Sequence, residues 1–405
     1  MHTISPVPRW GATAPSIRKV TRVAGDEFDR VIQPGVTVAL GDGIGMPYDA
    51  CAALTKRARE VGGVRLITGW LVECPPGLEF DAFEDVRTFM AGYGLATGIA
   101  AGSVQYTPTN VSQLPALLTG PWRPDVTVLS AVETKRGLAL GTEVSWVLTA
   151  AELSSACLVE LRSRGTAAAR AGLLDGLPLR VVGESDRPPL APDRARVDDV
   201  AASIGKTVAS LVPHGAAVQF GPGSIGEATV QAIDRPVMVD SGVLTDAVVD
   251  LAERELLLGR PLGTYLFGSA RLCEWADEKE FLDRIEVTHD PSRLAGRPLV
   301  AINTALQIDR VGQLNIESVG GRQIAGIGGH ADYASAGSRS PGGLSIVALP
   351  SRRGGRSTLV DHLQAPVSTP RSAVDIVVTE YGQADLRGRT DHERRDLIGS
   401  LFPNA

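Results

Sequence analysis

Short apolar runs alternate along this chain with longer stretches of helix-like pattern. Val36 to Leu40 reads VTVAL, the next segment is PYDACAALTKRAREVG, and VRLIT follows it. A run of four or five apolar residues fits a strand buried on both faces, and the longer stretch between two such runs fits a crossover helix. The rhythm is that of strand, helix, parallel strand, which predicts an α/β fold with mainly parallel sheets. Further strands are predicted at Val126 to Leu129, Cys157 to Leu161, Ala217 to Phe220, Val237 to Val239, Leu299 to Asn303, Ser345 to Leu349 and Ile376 to Thr379.

Near mid-chain the pattern breaks. Gly183 to Asp199, GESDRPPLAPDRARVDD, is rich in proline and charge and reads as an inter-domain crossing. It divides the chain into an N-terminal α/β domain, residues 1–185, and a C-terminal one, residues 186–405. Strand-turn-helix units on both sides place a ligand most naturally between the halves, at the carboxyl ends of strands.

Composition narrows the choice of partner. With 405 residues, 43% hydrophobic and 21% charged, the chain can bury a large core. A net charge of −6 argues against binding of a nucleic-acid backbone, which draws on clustered Lys and Arg. Cys51, Cys74, Cys157 and Cys273 form no CxxC pair, so neither a zinc site nor a disulfide framework is expected and a reducing cytoplasm fits. No stretch approaches the ~18–20 uncharged apolar residues of a membrane span.

Two glycine turns stand between strand and helix. In VALGDGIGMP, Gly41, Gly43 and Gly45 precede Pro47; in VQFGPGSIGEAT, Gly221, Gly223 and Gly226 take the same place in the other half. Such turns let a backbone approach a ligand, and a helix N-terminus favours an anion or a polarised oxygen. Tight chain reversal alone explains them equally well. The spacing is not that of a dinucleotide fingerprint.

The most distinctive segment runs from Gly326 to Val360, GIGGHADYASAGSRSPGGLSIVALPSRRGGRSTLV, and is read as a glycine-dense loop, a strand and a basic hairpin. With TPRSAVDIVVTEYGQADLRG downstream and AINTALQIDRVGQLNIESVGG upstream, it resembles the C-terminal signature of the acetyl-CoA hydrolase/transferase family. The likeness is close from Leu299 onward and looser from Gly183 to Leu299. It implies two α/β domains of the CoA-transferase type with the active site between them. It also implies coenzyme A or acyl-CoA as substrate rather than a permanently bound cofactor, a carboxylic acid or other acyl acceptor as partner, and a homodimer.

The family's chemistry runs through a glutamate nucleophile that forms an acyl anhydride and then a glutamyl-CoA thioester. Its motif, similar to IHSEMISDGVVDL, falls here on VMVDSGVLTDAVVDL, and the glutamate position is Gly242. Glycine has no side chain to acylate, so the route needs another group. Asp240, which strand periodicity would put on the same face as Gly242, is a candidate displaced carboxylate; Ser241 ranks below it. His330 in the GIGGHADY loop is a candidate base, with His289 of VTHDP second. The resemblance also assigns the backbone N–H of Gly329 to the thioester oxygen, Gly328 to CoA binding, Gly221 and Gly223 to the opposing turn that completes the oxyanion site and binds CoA, Glu380 to the site, and Arg353 to CoA. Pro222, lacking an N–H, removes a donor from that turn.

Overall fold

The computed structural model describes residues 26–403. Two sheets organise it. The first has the strand order Gln105–Tyr106, Asp85–Thr88, Arg65–Thr68, Thr37–Leu40, Val126–Thr134, Ala156–Arg162, Leu179–Ser185, all neighbours parallel, with Gly137–Ala139 added antiparallel to Val126–Thr134. The second runs Met238–Val239, Ala217–Phe220, Leu299–Asn303, Leu344–Ala348, Ile376–Thr379, Gly382–Asp385, parallel except for the last pair. The predicted α/β class is the observed one. The central strands Thr37–Leu40, Ala217–Phe220, Leu299–Asn303 and Leu344–Ala348 are buried at every residue, which is why they read as continuous apolar runs rather than alternating ones.

Each sheet has a point where the strand order reverses and a crevice opens at the carboxyl ends. In the first it lies beside Thr37–Leu40, and in the second between Ala217–Phe220 and Leu299–Asn303. One hydrophobic cluster includes Ala39 and Leu129 from the first sheet with Phe220, Ile302 and Ile346 from the second, so the two halves share a core. Polar contacts fix the junction further. Asp332 accepts from the Ser112 backbone N–H at 3.0 Å and hydroxyl at 2.6 Å, and Val111 N–H donates to the Gly328 carbonyl at 3.1 Å.

One expectation needs correcting at this level. The glycine-dense segment does not continue as a loop past Gly329: His330–Arg339 is a ten-residue helix with Gly329 at its N-cap. Tyr333, Ala334, Ala336 and Gly337 form its buried face at helical spacing. Small residues conceal that face from a reading based on composition, because Ala, Ser and Gly dilute the hydrophobic signal while still permitting close packing.

Candidate functional site

The two glycine turns have different fates. In the first, Gly45 N–H donates to the buried carboxylate of Glu143 at 3.1 Å, and a Cβ on Gly45 would lie 2.3 Å from Thr142 Oγ1. The helix that follows starts at Ala50, whose N–H is taken by Glu160 at 2.7 Å. Asp42 accepts from Trp70 N–H at 2.9 Å, Trp146 Nε1 at 3.0 Å and Tyr265 Oη at 2.8 Å. The crevice of the first sheet is thus filled by the protein's own carboxylates. Burial raises Asp42 to about 6 and Glu143 to about 7.

The second turn opens onto a cavity of about 240 Å³ at the reversal point of the second sheet. Gly221 and Pro222 form part of its wall, Gly328, Gly329 and His330 another, and Ser241 and Gly242 a third. Trp70, Phe89, Met90, Tyr93 and Val111 close it from the N-terminal half. Gln219 and Asn303, at neighbouring strand ends, also face in. Gln219 Nε2 reaches Asn303 Oδ1 at 3.3 Å, which leaves Gln219 Oε1 and Asn303 Nδ2 buried without a partner. Both atoms are thus free to meet a water or a ligand in the cavity.

His289 is the centre of this wall. Its ring stands between Gly242 and Gly329: Nε2 is 2.9 Å from where a Cβ on Gly242 would be and 2.6 Å from where one on Gly329 would be. Side chains at either position would collide with the imidazole, so both glycines are required for the ring to sit there. Local structure holds it rigidly. His289 caps the short helix Ile285–Thr288, and Asp290 starts the next one, accepting from Ser292 N–H at 2.8 Å. The Tyr333 ring meets the imidazole edge to face at 5.1 Å, and its hydroxyl donates to the Thr288 carbonyl at 2.9 Å.

The tautomer follows from the hydrogen bonds. Thr288 Oγ1 donates to the Arg284 carbonyl at 3.3 Å and so accepts from His289 Nδ1–H at 2.9 Å. Nε2 then presents a lone pair to the cavity. Burial pushes His289 down to about 3, the nearby Asp240 charge opposing only part of that, so the ring is neutral near pH 7.

Asp240 is elsewhere, and the expectation that it shares a face with Gly242 is corrected. The strand ends at Val239, and it is Ser241 and Gly242 that line the cavity. The Asp240 carboxylate is buried against guanidinium groups, accepting from Arg293 at 2.7 and 2.9 Å and from Arg297. Arg293 in turn donates to the Val287 carbonyl at 2.6 Å and the Thr288 carbonyl at 3.3 Å. Asp240 therefore anchors the segment that presents His289.

His330 lines the cavity as its sequence position suggested, but it does not titrate near neutrality. Its Nδ1 meets Thr369 Oγ1 at 2.9 Å, its Nε2 is buried without a hydrogen bond of good geometry, and burial lowers it to about 4 against support from the Thr304 backbone. Gly223 lines a neighbouring cavity of about 260 Å³ instead. Glu380 is outside the cavity wall and accepts from Ser351 N–H at 2.9 Å and Oγ at 2.5 Å. Arg353 lies on an exposed hairpin, Arg352–Arg353 with Arg356–Ser357, turned by Gly354 and Gly355 at φ 55° and 78°. Gly221, Gly328, Gly329 and His330 are thus brought together, while Asp240, Glu380, Gly223 and Arg353 lie off this cavity. Among the described residues no group of His, Cys, Asp and Glu could hold a metal ion, and no helix is long and apolar enough to cross a membrane.

Comparison with known proteins agrees with this architecture. Residues 268–400 match the acetyl-CoA hydrolase/transferase C-terminal domain. The chain is 27% identical to the 4-hydroxybutyrate coenzyme A transferase of Clostridium kluyveri over 391 residues, covering 90% of this chain and 91% of that protein. It is 30% identical over 220 residues to the acetyl-CoA hydrolase of Eremothecium gossypii, covering 48% of this chain and 39% of that one. The fold is similar to the crystal structure of RipA from Yersinia pestis, with a TM-score of 0.85 and 24% identity over 94% of this chain and 93% of that one. Residues 268–400 are thus an acetyl-CoA hydrolase/transferase C-terminal domain, in a chain similar along most of its length to a coenzyme A transferase.

Proposed function

We propose that the protein cleaves an acyl-CoA thioester by direct attack of water, with His289 as general base in place of the family's glutamate nucleophile. The observation that carries this reading is the position of His289 Nε2, which faces the cavity from the space a side chain at residue 242 would enter. Water held on that lone pair attacks the thioester carbonyl carbon and gives its proton to Nε2. The carbonyl oxygen becomes an oxyanion. Two features suit it: the N-terminus of the His330–Arg339 helix, capped by Gly329 at the cavity wall, and the unpartnered Asn303 amide. When the oxyanion collapses, the carbon–sulfur bond breaks and the proton on Nε2 passes to the departing thiolate. A carboxylic acid and free CoA result.

The resting ring is neutral and keeps its Nε2 lone pair free, though burial makes it a weak base until charge develops beside it. It takes up a proton only as negative charge develops beside it, which favours the transition state over the resting enzyme. Transfer of the acyl group to another acceptor in place of water uses the same geometry. A CoA-transferase route through Asp240 has less support, since that carboxylate is engaged by two arginines. The exposed Arg353 hairpin suits the phosphates of CoA, which an arginine fork engages well.

The test is incubation with a panel of acyl-CoAs, following free thiol and released acid alongside the intact mass of the protein. Thiol and acid release with an unmodified protein mass is the expected result. Neither free CoA nor a new acyl product, with CoA bound and unchanged, would instead mark a non-catalytic binder.

A further inference from the structure

The walls of the cavity also bear on which acyl group it takes. Resting on the thioester reading above, we infer that the acyl group is uncharged, apolar and compact, extending about five carbons beyond its carbonyl.

Size sets the first limit. A volume of about 240 Å³, at roughly 30 Å³ for each water-sized group, holds about eight such groups. The sulfur, carbon and oxygen of the thioester take three of them. The chemistry of the wall sets the second. The wall is built largely from Trp70, Phe89, Tyr93, Phe220, Tyr265 and Ile327, and it contains no Lys, Arg, Asp or Glu. Its two histidines are neutral when buried. A terminal carboxylate, as on a dicarboxylic acyl group, would be desolvated with no cation beside it, which is strongly unfavourable.

The far end is defined by a stack of rings. Trp70 packs on Phe267 with centroids 4.6 Å apart and on Tyr93 at 5.6 Å. Tyr93 lines both this cavity and the neighbouring one of about 260 Å³. That second chamber is charged: Arg194 pairs there with Glu227 at 2.5 Å, and Asp246 accepts from Ser269 N–H at 2.9 Å. Tyr93 therefore separates an apolar space from a charged one, and an apolar chain that outgrew the first would meet polar groups and water. Tyr93 is 59% exposed, and its ring rests edge-on against Trp70 and Phe267.

Calorimetry on the full chain separates this inference from the catalytic one, because binding is read without turnover. The probes are CoA and its acetyl, hexanoyl, cyclohexanecarbonyl, decanoyl and succinyl esters, with thiol release followed in parallel. Hexanoyl- and cyclohexanecarbonyl-CoA are expected to bind at least about tenfold more tightly than acetyl- or succinyl-CoA, with an upper limit near fourfold per buried methylene. Decanoyl-CoA is expected to bind more weakly than hexanoyl-CoA. In Tyr93→Ala, checked for an unchanged melting temperature, the discrimination against decanoyl-CoA is expected to fall severalfold as the wall between the two chambers opens. Succinyl- or acetyl-CoA binding as tightly as hexanoyl-CoA would overturn the acyl-group inference and leave the thioester reading standing. Absence of binding by CoA and every ester would remove both.

Discussion

The imidazole of His289 fills the space that a side chain on Gly242 would occupy, with Nε2 2.9 Å from the position of the missing Cβ. Neither side can yield easily. His289 is pinned by Thr288 and Tyr333, and Gly242 accepts backbone hydrogen bonds from Thr264 and Tyr265 at 3.0 and 3.2 Å. Gly242→Ala is expected to destabilise the protein by about 1–3 kcal/mol through overpacking. The same change made in a His289→Ala background is expected to cost much less. Urea unfolding of the four proteins measures the coupling; purely additive costs would show that the two residues do not compete for one volume.

A related expectation concerns Asp240, which holds Arg293 and Arg297 rather than facing substrate. The carboxylate is buried but both guanidinium groups keep access to water, so losing it costs about 1–3 kcal/mol rather than the full penalty of a buried ion pair. Asp240→Asn is therefore expected to lower stability by about that much, while the turnover of the molecules that remain folded stays within a few-fold of the parent. Loss of turnover by orders of magnitude at unchanged stability would restore the displaced-carboxylate mechanism.

The buried carboxyls of the first glycine turn give a pH dependence of definite sign. Glu143 holds its proton up to about pH 7 in the fold, whereas its ordinary value is 4.5. Its contribution is complete below the ordinary value and is lost as pH rises through about 7, on the order of 3 kcal/mol in all. Glu143→Gln keeps an acceptor for Gly45 N–H and cannot ionise. Its melting temperature is expected to gain on the parent from pH 5 to pH 8. A constant difference across that range would contradict the assignment. His289 and His330 act in the opposite sense. Their depressed values, about 3 and about 4, mean that stability present above pH 6.5 is lost progressively toward acid.

Much of the scaffold was legible in the sequence, because strands buried on both faces leave uninterrupted apolar runs. Ala217–Phe220, Leu299–Asn303 and Ile376–Thr379 lie where those runs placed them. The site was less legible. Gly328, Gly329 and His330 are legible through the C-terminal signature, Gly221 through its strand-to-helix glycine turn, and Gly242 through its motif. Trp70 and Tyr93 were missed, since nothing local ties a ring in the first half to a turn in the second. His289 comes second to His330 in the sequence for a similar reason. Its importance comes from the two glycines that make room for it, one 47 residues earlier and the other 40 later by their positions at 242, 289 and 329. Strand periodicity puts Asp240 on the face of Gly242 only if the strand continues, whereas it ends at Val239.

The measurement closest to the central claim is the steady-state hydrolysis of the best acyl-CoA by His289→Ala beside the parent enzyme. Loss of a general base at this position predicts a fall in kcat of about 10²- to 10⁴-fold with KM changed only slightly. A kcat equal to that of the parent, in a variant that is folded and binds the same ester, would contradict the role given to His289.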